Sequence, residues 1–204
     1  MTCKARAKEL EVDGFTIISN NCWGGTIYES YGMRENTPTV GMFTCRVTSC
    51  GSVPIWTDAL PSRWSSLRQR SPNGGMPSPQ TTTGESVLSA GLGDVELRML
   101  HQHDETTARR KWESRVKHVD HDRLIFKLND QNGATEADLF AFDALPLEHK
   151  LVFAAKEHPG VRCCRRIHCP RGSEFILASR EPFGANRSFN VTEYINDCFG
   201  SAKW

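Results

Sequence analysis

Apolar positions fall into short blocks along this chain, and most blocks have a readable period. Phe15-Thr16-Ile17-Ile18-Ser19 is a compact apolar run ending in polar residues, the pattern of a buried strand. Gly24-Gly25 breaks the chain directly after it, residues 26–31 suit a helix, and Gly32 stops that helix. Pro38-Thr39-Val40-Gly41-Met42-Phe43 predicts a second strand. From 44 to 70 the apolar spacing suggests helical pieces broken by Pro54 and Pro61. Residues 71–86 carry almost nothing apolar and read as a flexible surface loop. Val95, Leu97 and Met99 then alternate with Glu96 and Arg98, a strand over 94–100 with one wetter face. Asp104 or Thr107 can cap a helix reaching about Val119, with Ala108, Trp112, Val116 and Val119 as its core stripe. Leu124 to Leu128 is another buried strand. Thr135-Glu136-Ala137-Asp138 resembles a capping box and opens a helix stopped by Pro146. Leu151 to Ala155 is one more continuous apolar strand. Past 160 the pattern weakens to a short strand at 175–177 and a closing helix at 191–198.

Strands alternating with helices predict parallel pairing through right-handed crossovers. Continuous apolar strands such as 124–128 and 151–155 must be covered on both faces. The expected fold is therefore α/β: a three-layer, Rossmann-like domain, its sheet mostly parallel, with helices on both faces. The 204 residues suit one domain spanning the chain, less regular from about 160.

Composition removes several classes of function. The formal net charge of +1 creates no global field for a polyanion, so nucleic acid is not an expected partner. No apolar run approaches the roughly 20 residues of a membrane-crossing helix. The basic start, Met1 to Lys8, lacks the apolar stretch of a secretory signal, so a cytoplasmic location is expected. Eight cysteines are too sparse for a disulfide scaffold and are expected as thiols. Cys163, Cys164, His168 and Cys169 include no C-x-x-C pair, so no metal is assigned to them.

Open parallel sheets bind ligands beyond the carboxyl ends of their strands. The first strand runs from Ser19 into Asn20, Asn21, Cys22, Trp23, Gly24 and Gly25. The strand at 94–100 begins at Asp94 and runs into His101. Lys127 stands near the end of 124–128, followed by Asn129 and Asp130, and 151–155 runs into Lys156 and His158. A Lys inside an apolar strand is costly unless it reaches water or a counter-charge, so Lys127 and Lys156 suggest an anion-holding rim. The two glycines allow close backbone approach, and a helix start after them favours an anion such as phosphate. The segment is neither G-x-G-x-x-G nor a P-loop, so it assigns no cofactor. Cys22, on a sharp strand-to-helix turn, has the placement of a hydrolase nucleophile, although Asn20 is larger than that arrangement wants two positions earlier. Lys111, Arg115 and His118 share one face of a basic helix, where like charges invite an anionic ligand or simply meet solvent.

The first block, Phe15 to Gly25, followed by Thr37-Pro38-Thr39-Val40-Gly41, resembles the opening of a bacterial family catalogued as a domain of unknown function and often labelled exopolysaccharide biosynthesis protein. Gly93-Asp94-Val95-Glu96, Lys111-Trp112 with Arg115, Leu128-Asn129-Asp130, Phe142 to Pro146 and Lys150 to Phe153 resemble its later blocks in order. Ser114, where the family often has Arg, and the cysteines at 163–169 depart from its pattern. The resemblance implies a three-layer α/β fold and an association with capsule, exopolysaccharide or lipopolysaccharide assembly, and carries no catalytic residue with it.

Three functions are then in view. One is a transferase using a nucleotide-activated sugar or other phosphorylated donor. It would hold phosphate on the glycine loop, Arg115, Lys127 and Lys156, with Asp94, His101 or Asp130 as base for an acceptor hydroxyl. A second is a non-catalytic binding or regulatory protein using the same pocket for a saccharide or similar small molecule. The third is a thiol hydrolase built on Cys22.

Overall fold

The computed structural model describes residues 2–39, 104–131 and 134–200, together with the backbone of four strands between 42 and 99. The chain runs α1 (Cys3–Ala7), β1 (Thr16–Ser19), α2 (Trp23–Tyr31), β2 (Met42–Cys45), β3 (Ser66–Gln69), β4 (Leu88–Leu92), β5 (Val95–Met99), α3 (Glu105–Val116), β6 (Leu124–Asn129), α4 (Glu136–Ala144), β7 (Lys150–Ala154), β8 (Cys164–Arg166) and α5 (Val191–Phe199), with a 3-10 turn at Ala178–Arg180.

β1, β6, β7 and β8 lie in that order in one fully parallel sheet. Alternation along these strands sorts two cores. Ile17, Ile125, Leu151 and Phe153 face one way, onto Trp23, Ile27, Tyr28 and Tyr31 of α2 and Val191 and Ile195 of α5. Ile18, Phe126, Leu128 and Val152 face the other way, onto Leu139 and Phe142 of α4. Helices thus cover both faces of a parallel sheet, the three-layer α/β arrangement expected from the continuous apolar strands.

The helix signals have visible causes. The Asp104 side chain caps α3 by accepting from the Thr107 amide at 2.8 Å. Thr135 and Asp138 form a reciprocal capping box at α4. Lys150 closes the other end of α4 by donating to the carbonyls of Asp143 and Leu145. Gly32 ends α2 at φ +65°, with the Met33 amide donating back to the Tyr28 carbonyl at 2.9 Å.

The expected strands at 38–43 and 94–100 belong elsewhere. β2 starts at Met42, after a turn at Pro38-Thr39, and pairs antiparallel with β5; β4 and β3 complete a second, wholly antiparallel sheet in the order β2-β5-β4-β3. The β4–β5 register pairs Leu92 with Val95, with only two residues between them in the chain. Strands so close in sequence must pair antiparallel, because a parallel pair needs a crossover of about a dozen residues or more. β3 also occupies the end of a stretch read as broken helix. The expected strand at 175–177 is not one; the segment from 167 to 190 holds only the 3-10 turn and a single bridge between Ala185 and Asn190. The loop expected at 71–86 lies outside the described residues. No helix among the described residues is long and apolar enough to cross a membrane.

Candidate functional site

Lys127 is the most demanding residue in the core. It stands in a strand that alternates between two apolar layers, on the α2 side, and its side chain is wholly buried. Its ammonium lies 5.7 Å from the Trp23 ring centroid and 5.6 Å from that of Phe153. Such a charge is tolerable only with close partners. It donates to Asn21 Oδ1 at 3.1 Å and to the carboxylate of Glu181, with which it forms a buried ion pair.

The rest of the cluster grows from the carboxyl ends of β1 and β6. Asn20 and Asn129 clasp each other: Asn20 Nδ2 donates to Asn129 Oδ1 at 2.9 Å, and the Asn129 amide donates to Asn20 Oδ1 at 3.1 Å. Asn21 Oδ1 also accepts from the Trp23 amide at 3.0 Å. Its Nδ2 donates to both oxygens of Glu181, at 3.0 and 3.2 Å, and Asn129 Nδ2 donates to Glu181 Oε1 at 2.7 Å. Burial pulls the Lys127 ammonium below its ordinary pKa and pushes the Glu181 carboxyl above its own, while their mutual attraction opposes both shifts. Every group described around the Glu181 oxygens is a donor, so the ionised pair is the form this geometry fits.

Around this centre the expected site residues take different parts. Ser19 is buried, with its hydroxyl donating to the Asn21 carbonyl. Trp23 is buried and its indole N–H donates to the Pro182 carbonyl at 2.8 Å. Gly24 is buried too: a Cβ there would sit 3.4 Å from Ile17 Cγ2. Its missing side chain faces the strand beneath, so glycine serves helix–strand contact there. Cys22, half-buried at the amino terminus of α2, and half-buried Gly25 are nearer solvent, and Cys22 lies close enough to Lys127 for a thiolate there to raise the lysine's pKa.

Asp130 Oδ2 accepts from the Ala155 amide and Oδ1 from the Ile176 amide, each at 2.7 Å, so both oxygens hold main chain together. Burial pushes its carboxyl up against those hydrogen bonds. Lys156 is exposed two residues past β7, at the same carboxyl end of the parallel sheet as Cys22 and Asp130. His158 Nδ1 lies 3.4 Å from Glu136.

Two expectations need correction. Lys127 does not project as a rim cation; its charge is met inside the core by Glu181. Arg115 does not join the strand ends: it pairs at 3.5 Å with Glu35, while Arg34 contacts His118 at 2.8 Å. Those contacts fasten the end of α3 to the loop after α2, at the end of that helix away from Cys22. Lys111 is half-buried one turn before Arg115. Asp94 and His101 lie outside the described residues. Among the described residues no three His, Cys, Asp or Glu side chains gather as a metal site.

Glu181 is the central residue that sequence reasoning missed. The one signal for it was Lys127 itself, which demands an acid; nothing in the irregular segment around 181 said which acid would answer.

Against known proteins, the family model described as Domain of unknown function (DUF1919) matches residues 2–47 and 81–176. A Haemophilus influenzae protein described as uncharacterized is 28% identical over 155 residues, covering 76% of this chain and 68% of its own length. Asn20, Asn21, Lys127 and Asn129 fall inside the family-matched span, and Glu181 falls beyond it.

Proposed function

The chain belongs to the Domain of unknown function (DUF1919) family, and from its strand-end cluster we propose that it binds a small phosphorylated ligand beyond the carboxyl ends of β1, β6 and β7. Following the surface-polysaccharide association of the family it resembles, that ligand is a nucleotide-activated sugar or similar donor, and the activity is a transfer in exopolysaccharide, capsule or lipopolysaccharide assembly. One observation carries the reading: Asn20, Asn21, Lys127, Asn129 and Glu181 converge, buried, at the ends of two adjacent parallel strands. Packing alone would be served by apolar side chains at such positions, and strand ends are where parallel sheets bind ligands. Cys22, Gly25 and Lys156 are the exposed or half-exposed neighbours suited to touch the ligand, and Asp130 is the described candidate base.

The test is a thermal-shift screen of the full chain with nucleotide-activated sugars, free nucleotides and free sugars. Activated donors should raise Tm by an amount that grows with concentration. A response to free sugars alone would replace the transferase reading with saccharide binding, and silence toward all three would end it. Cys22→Ser should keep the response, since here the thiol is a neighbour of the site and not its nucleophile.

A further inference from the structure

We propose that residues 177–184 form a strap whose Glu181 carboxylate plugs an oxyanion cup made by Asn21, Lys127 and Asn129, and that a phosphate or carboxylate group of the ligand replaces Glu181 when the strap lifts. This rests on the strand-end ligand site described above and names the chemistry its floor would recognise.

The cup is held by bonds that do not involve Glu181. Asn21 Oδ1 is occupied by the Trp23 amide and Lys127, which turns Nδ2 toward the cup. The Asn20–Asn129 clasp does the same for Asn129 Nδ2. The Trp23 and Phe153 rings flank the lysine. One ammonium and two amide NH2 groups, aimed at one point, match an oxyanion, whereas a neutral hydroxyl would leave the buried charge unanswered.

The plug is mounted differently. Between Arg166 and Val191 the only helical piece is the three-residue 3-10 turn. Beyond Glu181 itself, the Ala178 amide donates to Gln131 Oε1 and the Trp23 indole to the Pro182 carbonyl, Arg6 lies 5.5 Å over the Phe183 ring, and the Gly184 carbonyl accepts from the Val191 amide at 2.9 Å. Ser179, Arg180 and Phe183 are exposed. Ile176, before the strap, is a core residue, and Gly184, buried at φ +63°, is held at the far end by the Val191 amide, so the strap spans two fixed roots and any lifting is confined to the residues between them. Without a plug, Lys127 would be a buried unpaired charge; Glu181 stands in for the ligand until it arrives.

The full chain is tested with inorganic pyrophosphate and phosphate as probes. A plug lowers apparent affinity by the fraction of time the cup is closed, so Glu181→Gln should bind pyrophosphate roughly tenfold more tightly or better than the unsubstituted protein. Adding Lys127→Met should abolish the gain. A folded Glu181→Gln protein that binds no more tightly overturns the proposal. If that variant does not fold, the unsubstituted chain decides. Hydrogen exchange across 178–184 and tryptic cleavage after Arg180 should both increase with pyrophosphate, and no change at the highest soluble concentration overturns the proposal. The two readings separate cleanly. Nucleotide-sugar binding with no change in the strap removes only the plug. Pyrophosphate binding by Glu181→Gln without any nucleotide-sugar response removes only the donor assignment.

Discussion

Asp143 shows how one carboxylate can tie elements together. It is nearly buried at the end of α4, where Oδ1 accepts from the Cys163 amide at 2.9 Å and Oδ2 from Arg162 Nε at 3.3 Å. Burial works against its charge, but the hydrogen bonds from Cys163 and Arg162 outweigh it and bring its pKa down to about 2. Burial, joined by the same carboxylate, pushes the Cys163 thiol up to about 12. Arg162 is mostly exposed, so the main-chain bond from Cys163 carries more weight than the ion pair. A carboxyl whose pKa falls on folding adds stability above its unfolded pKa, near 4, and loses that contribution as pH falls through about 2. Asp143→Asn should therefore cost on the order of 2 kcal/mol at neutral pH. The gap between the two melting curves should close between about pH 4 and pH 2. A gap independent of pH would assign the loss to shape and not to charge.

At the scale of elements, the instructive case is β1, an edge strand of the parallel sheet. An edge leaves a row of main-chain groups without a neighbouring strand. Here side chains fill the row. The Tyr28 hydroxyl accepts from the Ile17 amide at 3.0 Å and donates to the Phe15 carbonyl at 2.8 Å. Thr37 donates to the Ile17 carbonyl, and Thr39 Oγ1 accepts from the Ser19 amide at 3.5 Å. Residues 38 and 39 looked like the start of a strand; together with Thr37 they do lie along one, but Thr37 and Thr39 pair with it through hydroxyls. Strands 16–19, 124–129 and 150–154 and the capping box at Thr135 were legible because their signals are local: a run, a period, a cap. The antiparallel sheet was not, because pairing partners are set by distant residues and by the short β4–β5 connection. The glycine after β1 was legible as a backbone requirement but not as to its purpose. If Gly24 serves only the fit of α2 onto Ile17, a methyl group at 3.4 Å is an ordinary contact. Gly24→Ala should then leave Tm unchanged or raise stability by up to about 1 kcal/mol, through helix propensity. A marked loss of Tm would show that the helix sits closer to the strand than that contact allows.

Over the whole molecule, the span matched by the family ends at residue 176, yet the structure does not close there. Val191 and Ile195 of α5 are fully buried in the same core as Ile17, Phe153 and Ile176, and Phe189 packs on Phe153 at 5.4 Å between ring centroids. Glu181 neutralises Lys127 from the same segment. The weak pattern beyond residue 160 made this part read only as less regular, because a segment that fills a core through scattered contacts has no period to reveal it. Its removal should be severe. Burying Val191 and Ile195 contributes about 1.5–3 kcal/mol each, and a buried ammonium stripped of its carboxylate costs about 3–5 kcal/mol. Together these rival the roughly 5–15 kcal/mol that holds an ordinary domain folded. A chain ending at residue 176 should therefore show no cooperative melt by circular dichroism. Lys127→Met in that shortened chain should not restore one, because it relieves the charge and leaves the core open. In the full-length chain, by contrast, Lys127→Met combined with Glu181→Leu should retain a cooperative transition, since both charges leave together. A shortened chain that melts cooperatively near the full-length Tm would mean that the matched span folds by itself and that α5 only rests against it.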